Sequence, residues 1–264
     1  MVSSGDAVAA ELPHKPPMAI SLLSAAAVPT ATFISAIALR RRGRGAAHLS
    51  ERELADMLLA ALADRDPELG AHSCDVADAA TTAAQRLGLS RRCVAQVRLA
   101  AELHDVGKLA IPERILGKPG PLNPAEWEIM KSHTEVGARI LEAMPGMAPI
   151  GALVLASHER HDGSGYPYGL RGEQIPLGAR IIAVCDAYDA MTTQRVYNRP
   201  VSPSEALARV RAAAGSQFDP MVVSAVCAAI QELLATPVHS SVETAISESL
   251  AASLTPLPHG TLFA

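Results

Sequence analysis

The stretch LAAELHDVGK, residues 99–108, sets His104 and Asp105 side by side in a run that is otherwise largely apolar and helical in character. ARIIAVCDAYDAM, residues 179–191, embeds Asp186 in the same kind of surroundings. A polar group facing an apolar wall costs on the order of a few kcal/mol unless it meets a partner, so these side chains need something to bind. Five of the nine histidines, His72, His104, His133, His158 and His161, fall between positions 72 and 161. One of them alone reads as a hydrogen-bonded core histidine. His72, His104, His133 and His158 taken with Asp105 and Asp186 read as a metal cluster of imidazoles and carboxylates. Neighbouring positions on a helix point about 100° apart, so His104 can serve one metal while the two oxygens of Asp105 reach toward two. Asp105 is therefore expected to bridge. Lys108, four residues after His104, is placed on the same helical face, where a cation would hold the anion that the metals polarise, phosphate being the obvious one. By itself Lys108 reads as a cation complementing a helix C-terminus ahead of the break at Ile111-Pro112.

Working outward, the whole chain of 264 residues is 49% hydrophobic and only 3% aromatic, and β-branched alternation is scarce. An all-α fold follows, a single helical domain with a variable N-terminal segment and a short tail. With 23 basic and 27 acidic side chains the net charge is -4, which excludes the electrostatic footprint of a duplex nucleic-acid binder. Eight aromatic residues also leave little platform for stacking a single strand. Cys74, Cys93, Cys185 and Cys227 form no CxxC pair, so neither a zinc ribbon nor a disulfide framework is written here, and a reducing, cytoplasmic compartment is expected.

Residues 49–236 carry the helical pattern, with turn signals at Asp66-Pro67, Gly88, Lys118 to Pro121, Pro145-Gly146, Gly163 to Pro167, Pro200 to Pro203 and Asp219-Pro220. Asn123-Pro124-Ala125-Glu126 predicts a helix start, and Trp127, Met130, Val136, Ile140 and Leu141 recur after it as one apolar helical face. Upstream, Met18 to Leu39 is uncharged, long enough to span a bilayer, diluted by Ser, Thr and Pro, and followed by Arg40, Arg41, Arg42 and Arg44. Two readings of 1–48 stay open, an alanine-rich leader and a membrane anchor that tethers the rest to the inner face of the plasma membrane. Residues 237–264 read as a Ser, Thr and Pro rich tail.

HDVGK, KPGPL and MKSH, then HERHDGSGYPYGL and IPLGARIIAVCDAYDAMTTQRVY, resemble in order the HD-GYP family of metal-dependent phosphodiesterases. The resemblance runs from about Asp66 to Leu234. It implies a centre of two divalent transition metals, iron or manganese, and hydrolysis of cyclic di-GMP to pGpG or GMP. His72, His104, Asp105 and Asp186 match ligands of the first metal, and Asp105, His133 and His158 those of the second. The resemblance implies that Asp105 and Lys108 carry the chemistry. Lys108, Gly165, Tyr166, Pro167, Asp189 and Arg195 match residues around the substrate, and Arg199 stands beside Asn198, which replaces a basic residue of the family. Gly163 and Gly165 are expected to supply backbone angles that a β-carbon forbids.

One departure stands out. Ser157 precedes His158 where the family usually has a second histidine, so the second metal is short of one ligand. His161, three residues beyond His158, and Glu68, four before His72, are the candidate substitutes, each with a bland alternative as a loop residue or a helix-start acid. Two further functions stay in play: a non-catalytic cyclic dinucleotide receptor, and hydrolysis of another nucleotide. A homodimer also stays open.

Overall fold

The computed structural model describes residues 49–194 and 199–235, without the side chains of 67–69 and 71. The expectations for the leader with its 18–39 run, for the 237–264 tail, for Arg195 and Asn198, and for the Glu68 side chain lie outside the described residues. Within them the regular structure is all helical: α1 Glu51–Arg65, α2 Pro67–Arg86, α3 Arg91–Leu103, a 3-10 turn Val106–Ala110, α4 Glu113–Leu116, α5 Pro124–Lys131, α6 His133–Glu142, α7 Ala148–Leu155, a 3-10 turn Gly172–Gln174, α8 Leu177–Thr192, α9 Pro203–Ala212 and α10 Pro220–Ala235. Contacts divide the chain after Ile230; beyond it only 231–235, the end of α10, are described. No described helix is long and apolar enough to cross a membrane.

The helix start expected at Asn123 is present, and two further caps accompany it. Ser50 caps α1 and forms a reciprocal box with Glu53, Ser90 caps α3, and Asn123 caps α5 with Glu126 reaching back to its amide. Gly88 follows the end of α2 and Gly146 lies in the turn between α6 and α7, both in the left-handed region, at φ 74° and 80°.

Helices α2, α3, α7 and α8 pack around one core. Its small residues, Ala77, Ala80, Ala83 and Ala84 on α2 and Ala100 and Ala101 on α3, are fully buried and let α2 and α3 approach closely. Leu103, Ile150, Leu153, Ile181 and Ile182 fill the remaining volume, each buried side chain contributing about 1.5–3 kcal/mol.

Two details depart from the sequence reading. The run from Trp127 to Leu141 is not one helix, because the chain breaks at Ser132 between α5 and α6. Helix α5 buries no residue at all, and Trp127 is 46% exposed. Likewise His104 and Asp105 do not share a helix: His104 ends α3 and Asp105 begins the 3-10 turn.

That 3-10 turn lies directly on α6. A β-carbon on Gly107 would fall 1.8 Å from the His133 carbonyl oxygen, so only glycine lets the two backbones touch there. The segment is also held at both ends by α1. Arg52 reaches the buried carboxylate of Glu102, and Arg65 donates to the carbonyls of Leu109 and Ile111. One helix thereby brackets the stretch that carries His104, Asp105 and Lys108.

Candidate metal centre

Six side chains from six segments converge in two groups. His72 of α2, His104 at the end of α3 and Asp186 of α8 form one; Asp105, His133 at the start of α6 and His158 in the turn after α7 form the other. In each group the nearest ligating atoms all lie within 4.8 Å of one another. Asp105 joins them, with Oδ2 3.6 Å from Nε2 of His104 and Oδ1 3.6 Å from Nε2 of His133. His104 in turn stands 3.8 Å from Oδ1 of Asp186, which is 3.1 Å from Nε2 of His72.

The imidazoles are oriented by bonds on their other nitrogen. Nδ1 of His104 donates to the Ala101 carbonyl and Nδ1 of His133 to that of Met130, both at 2.7 Å, which leaves Nε2 with its lone pair toward the centre. His72 is held on Nδ1 by Asp189. Nε2 of His133 and of His158 are buried and meet no hydrogen-bond partner among the described residues. Orphaned ring nitrogens beside a buried carboxylate suit a divalent cation, and a donor set of imidazole and carboxylate without thiolate suits a transition metal of intermediate hardness.

Electrostatics agree with that fit. Burial would raise the Asp105 carboxyl, but Lys108, His104 and His133 hold it well below the usual carboxylate range. Burial opposes ionisation of Asp186 too and is outweighed by the hydrogen bond from His72, so its pKa is lowered. Burial lowers His133 to about 4 and lowers His158, keeping both rings neutral as ligation demands. His72 is the exception: burial acts downward, but the hydrogen bonds to Asp186 and Asp189 overcome it and raise the pKa to about 9, so this ring holds a proton that a metal would have to displace.

Lys108 is placed differently from the expectation. On the 3-10 turn it lies one turn after Asp105, and its Nζ donates to Asp105 Oδ2 at 2.6 Å. Its ammonium therefore stands at the centre, paired with the Asp105 carboxylate.

Asp189, expected near the dinucleotide, is 7% exposed and lies behind His72, also accepting from the Thr193 hydroxyl at 3.2 Å. Arg199 lies on the exposed surface after α8. Ser157 is buried, and its hydroxyl donates to the Val154 carbonyl at 2.9 Å. His161 belongs to neither group; its amide donates to the Gln217 carbonyl and its carbonyl accepts from Gly172, because the chain leaves helical geometry at Ala156.

Gly165, Tyr166 and Pro167 form the loop that covers the second group. The Tyr166 ring stacks on His158 with centroids 5.1 Å apart, and burial pushes its phenol pKa up, so the hydroxyl stays protonated. Gly163 has φ 79°, as expected. Gly165 is required for a different reason: a β-carbon there would fall 2.3 Å from the Arg160 amide nitrogen. Sequence reasoning missed what anchors this loop. Glu159, buried beside His158, accepts from the amides of Tyr168 at 2.7 Å and Leu170 at 3.0 Å. The only signal was an acid in an otherwise histidine-rich turn.

Residues 56–222 match the family described as HD domain. A relative named cyclic di-GMP phosphodiesterase, from Thermotoga maritima, is 43% identical over 163 residues, covering 61% of this chain and 44% of its own length. The cyclic di-GMP phosphodiesterase response regulator RpfG of Xanthomonas campestris pv. campestris is 43% identical over 177 residues, covering 66% and 47%. A protein of Vibrio cholerae named 3'3'-cGAMP-specific phosphodiesterase 2 is 38% identical over 176 residues, covering 66% and 34%. The chain thus spans less than half the length of these curated relatives.

Proposed function

From the premise that this chain belongs to the HD domain family, in its HD-GYP branch, we propose that residues 49–236 form a metal-dependent phosphodiesterase acting on cyclic di-GMP. The observation that carries the reading is Asp105, whose two oxygens face His104 in one group of candidate ligands and His133 in the other. Two divalent cations of iron or manganese type, held by His72, His104, Asp105 and Asp186 and by Asp105, His133 and His158, would supply an activated water and charge for the phosphoryl oxygens.

The chain's own groups do the rest. Asp105 fixes the separation of the two groups by serving both. Lys108 turns from Asp105 to a substrate phosphoryl oxygen, where its positive charge offsets the negative charge that grows during in-line displacement. Tyr166 covers the His158 side and limits entry of bulk water, and Glu159 keeps that loop in place. Arg195 and Arg199 are assigned to the distal phosphate, Arg through its planar fork of donors.

The test is to incubate the full chain, loaded with Mn(II) or Fe(II), with cyclic di-GMP and to separate the products. Appearance of pGpG or GMP supports the reading, and intact cyclic di-GMP with both metal groups filled overturns it. Binding without turnover is the signature of the receptor alternative. Because a relative bears the name of a 3'3'-cGAMP phosphodiesterase, 3'3'-cGAMP run in parallel decides which cyclic dinucleotide is preferred.

A further inference from the structure

A line of aromatic rings leads from the second ligand group to solvent. His133 and His158 meet at 5.0 Å between centroids, His158 and Tyr166 stack at 5.1 Å, and Trp127 stands perpendicular to Tyr166 at 6.3 Å. The first three rings are largely covered, whereas Trp127 is 46% exposed. Its helix offers no core reason for an indole, since α5 buries none of its residues. What fixes α5 is polar: the Asn123–Glu126 capping box and the ion pair between Lys118 and Glu126 at 2.5 Å. The indole is thus half exposed on a short helix held by polar contacts and is joined to His158 of the second group through the Tyr166 ring.

We propose that Trp127 is a substrate-binding residue that stacks on a purine base of the cyclic dinucleotide while its phosphate lies at the metal groups. The inference rests on the phosphodiesterase reading and adds the position of the base to it. A nucleobase presents a π-face that an indole matches without sequence-specific hydrogen bonds, and such stacking contributes a measurable share of nucleotide affinity. Lys131, one turn along α5 with its Nζ 5.9 Å from the Tyr166 ring centroid, keeps the loop ring and the helix in register through a cation–π contact.

Trp127 is the chain's only tryptophan, so its emission reports on this position alone. The metal-loaded full chain is titrated with pGpG and, separately, with inorganic phosphate, which offers an anion and no base. Saturable quenching by pGpG and unchanged emission with phosphate support stacking. Unchanged emission with pGpG, while calorimetry records its binding, overturns it. In steady state, Trp127→Ala raises KM for cyclic di-GMP roughly tenfold at similar kcat, the loss expected from one base stack, and Trp127→Phe recovers most of it. A fall in kcat and in metal content with KM unchanged assigns Trp127 to loop packing and also overturns the inference. Quenching by pGpG in a protein that hydrolyses no cyclic dinucleotide keeps the stack and refutes the phosphodiesterase reading; turnover with neither quenching nor a KM effect does the reverse.

Discussion

The Asp189 carboxylate accepts the Nδ1–H of His72, three residues along α8 from the Asp186 oxygen that faces Nε2 of the same ring. One helix thus supplies both a candidate ligand and the group that orients its neighbour. A carboxylate behind a ligating imidazole fixes the tautomer and raises the basicity of the nitrogen that binds metal, and its loss usually costs about 10–100-fold in affinity. Asp189→Asn is therefore expected to weaken Mn(II) binding within that range, read by competition with a chelator, while the circular dichroism spectrum stays as in the parent. Parental metal affinity in the variant would assign Asp189 to the substrate side instead.

How much of this was legible in the residues depends on the distance over which each interaction acts. The helix ends at Ser50, Ser90 and Asn123 are written locally, since a cap and its amide lie within three residues, and so they can be read directly. The six candidate ligands were legible through their chemistry, polar groups that an apolar neighbourhood cannot leave alone. The role of Asp189 was not, because it depends on a ring 117 residues earlier in the chain. Trp127 was misread for a related reason. Helical periodicity reports a spacing, not what lies opposite, and nothing in EWEIMKSH shows that Ser132 breaks the helix and leaves α5 on the outside. Gly107 looked like one letter of a motif, and only the path of α6 reveals that a β-carbon would meet its backbone.

Arg65 is expected to act as a positioning residue for the 3-10 turn. It is four-fifths buried and bonds the carbonyls of both Leu109 and Ile111, just beyond Lys108. Arg65→Ala should lower stability by about 1–3 kcal/mol, the usual scale for hydrogen bonds from a charged group. It should lower kcat more than it raises KM, because the displaced segment carries Asp105 and Lys108. Arg65→Lys should recover only part of the loss, since one ammonium cannot match a planar fork across two carbonyls. Full recovery by lysine would mean that the charge matters and the fork does not.

Asp219 joins α8 to the start of α10: it pairs with Arg180 at 2.5 Å and accepts from the Met221 amide at 2.8 Å and more weakly from that of Val222. Burial would raise its pKa, but the Arg180 hydrogen bond and the two amides lower it below the usual value. A depressed folded pKa stabilises the protein above the unfolded value, near 3.9, and that contribution fades as pH falls through the folded value. Asp219→Asn retains a cap and loses the charge pair. The melting temperature of the variant should therefore lie below that of the parent by a constant margin from pH 7 to about pH 5, and the margin should narrow as pH falls below the unfolded value near 3.9 and close only below the lowered folded value. A margin that does not narrow at all as pH falls below about 3.9 would show that shape and not charge holds this junction.

Ser157 bears on how well the second group holds its metal. Its hydroxyl is committed to the Val154 carbonyl inside a buried turn, and the candidate substitute His161 lies elsewhere, against Gln217 and Gly172. Asp105, His133 and His158 are thus left as three candidate ligands with no fourth protein donor from that turn among the described residues. Activity should accordingly rise steeply with added Mn(II), because occupancy of a weakly held site follows mass action. Ser157→His places an imidazole beside His158, breaks one neutral hydrogen bond at about 1 kcal/mol and adds bulk to a buried turn at about 1–3 kcal/mol more. The variant should reach full turnover at Mn(II) concentrations at least tenfold lower than the parent requires, comparable with the effect of outer partners of metal ligands. Equal metal dependence of the two proteins, with equal stoichiometry by elemental analysis, would show that the three ligands already suffice and that the serine is a tolerated replacement.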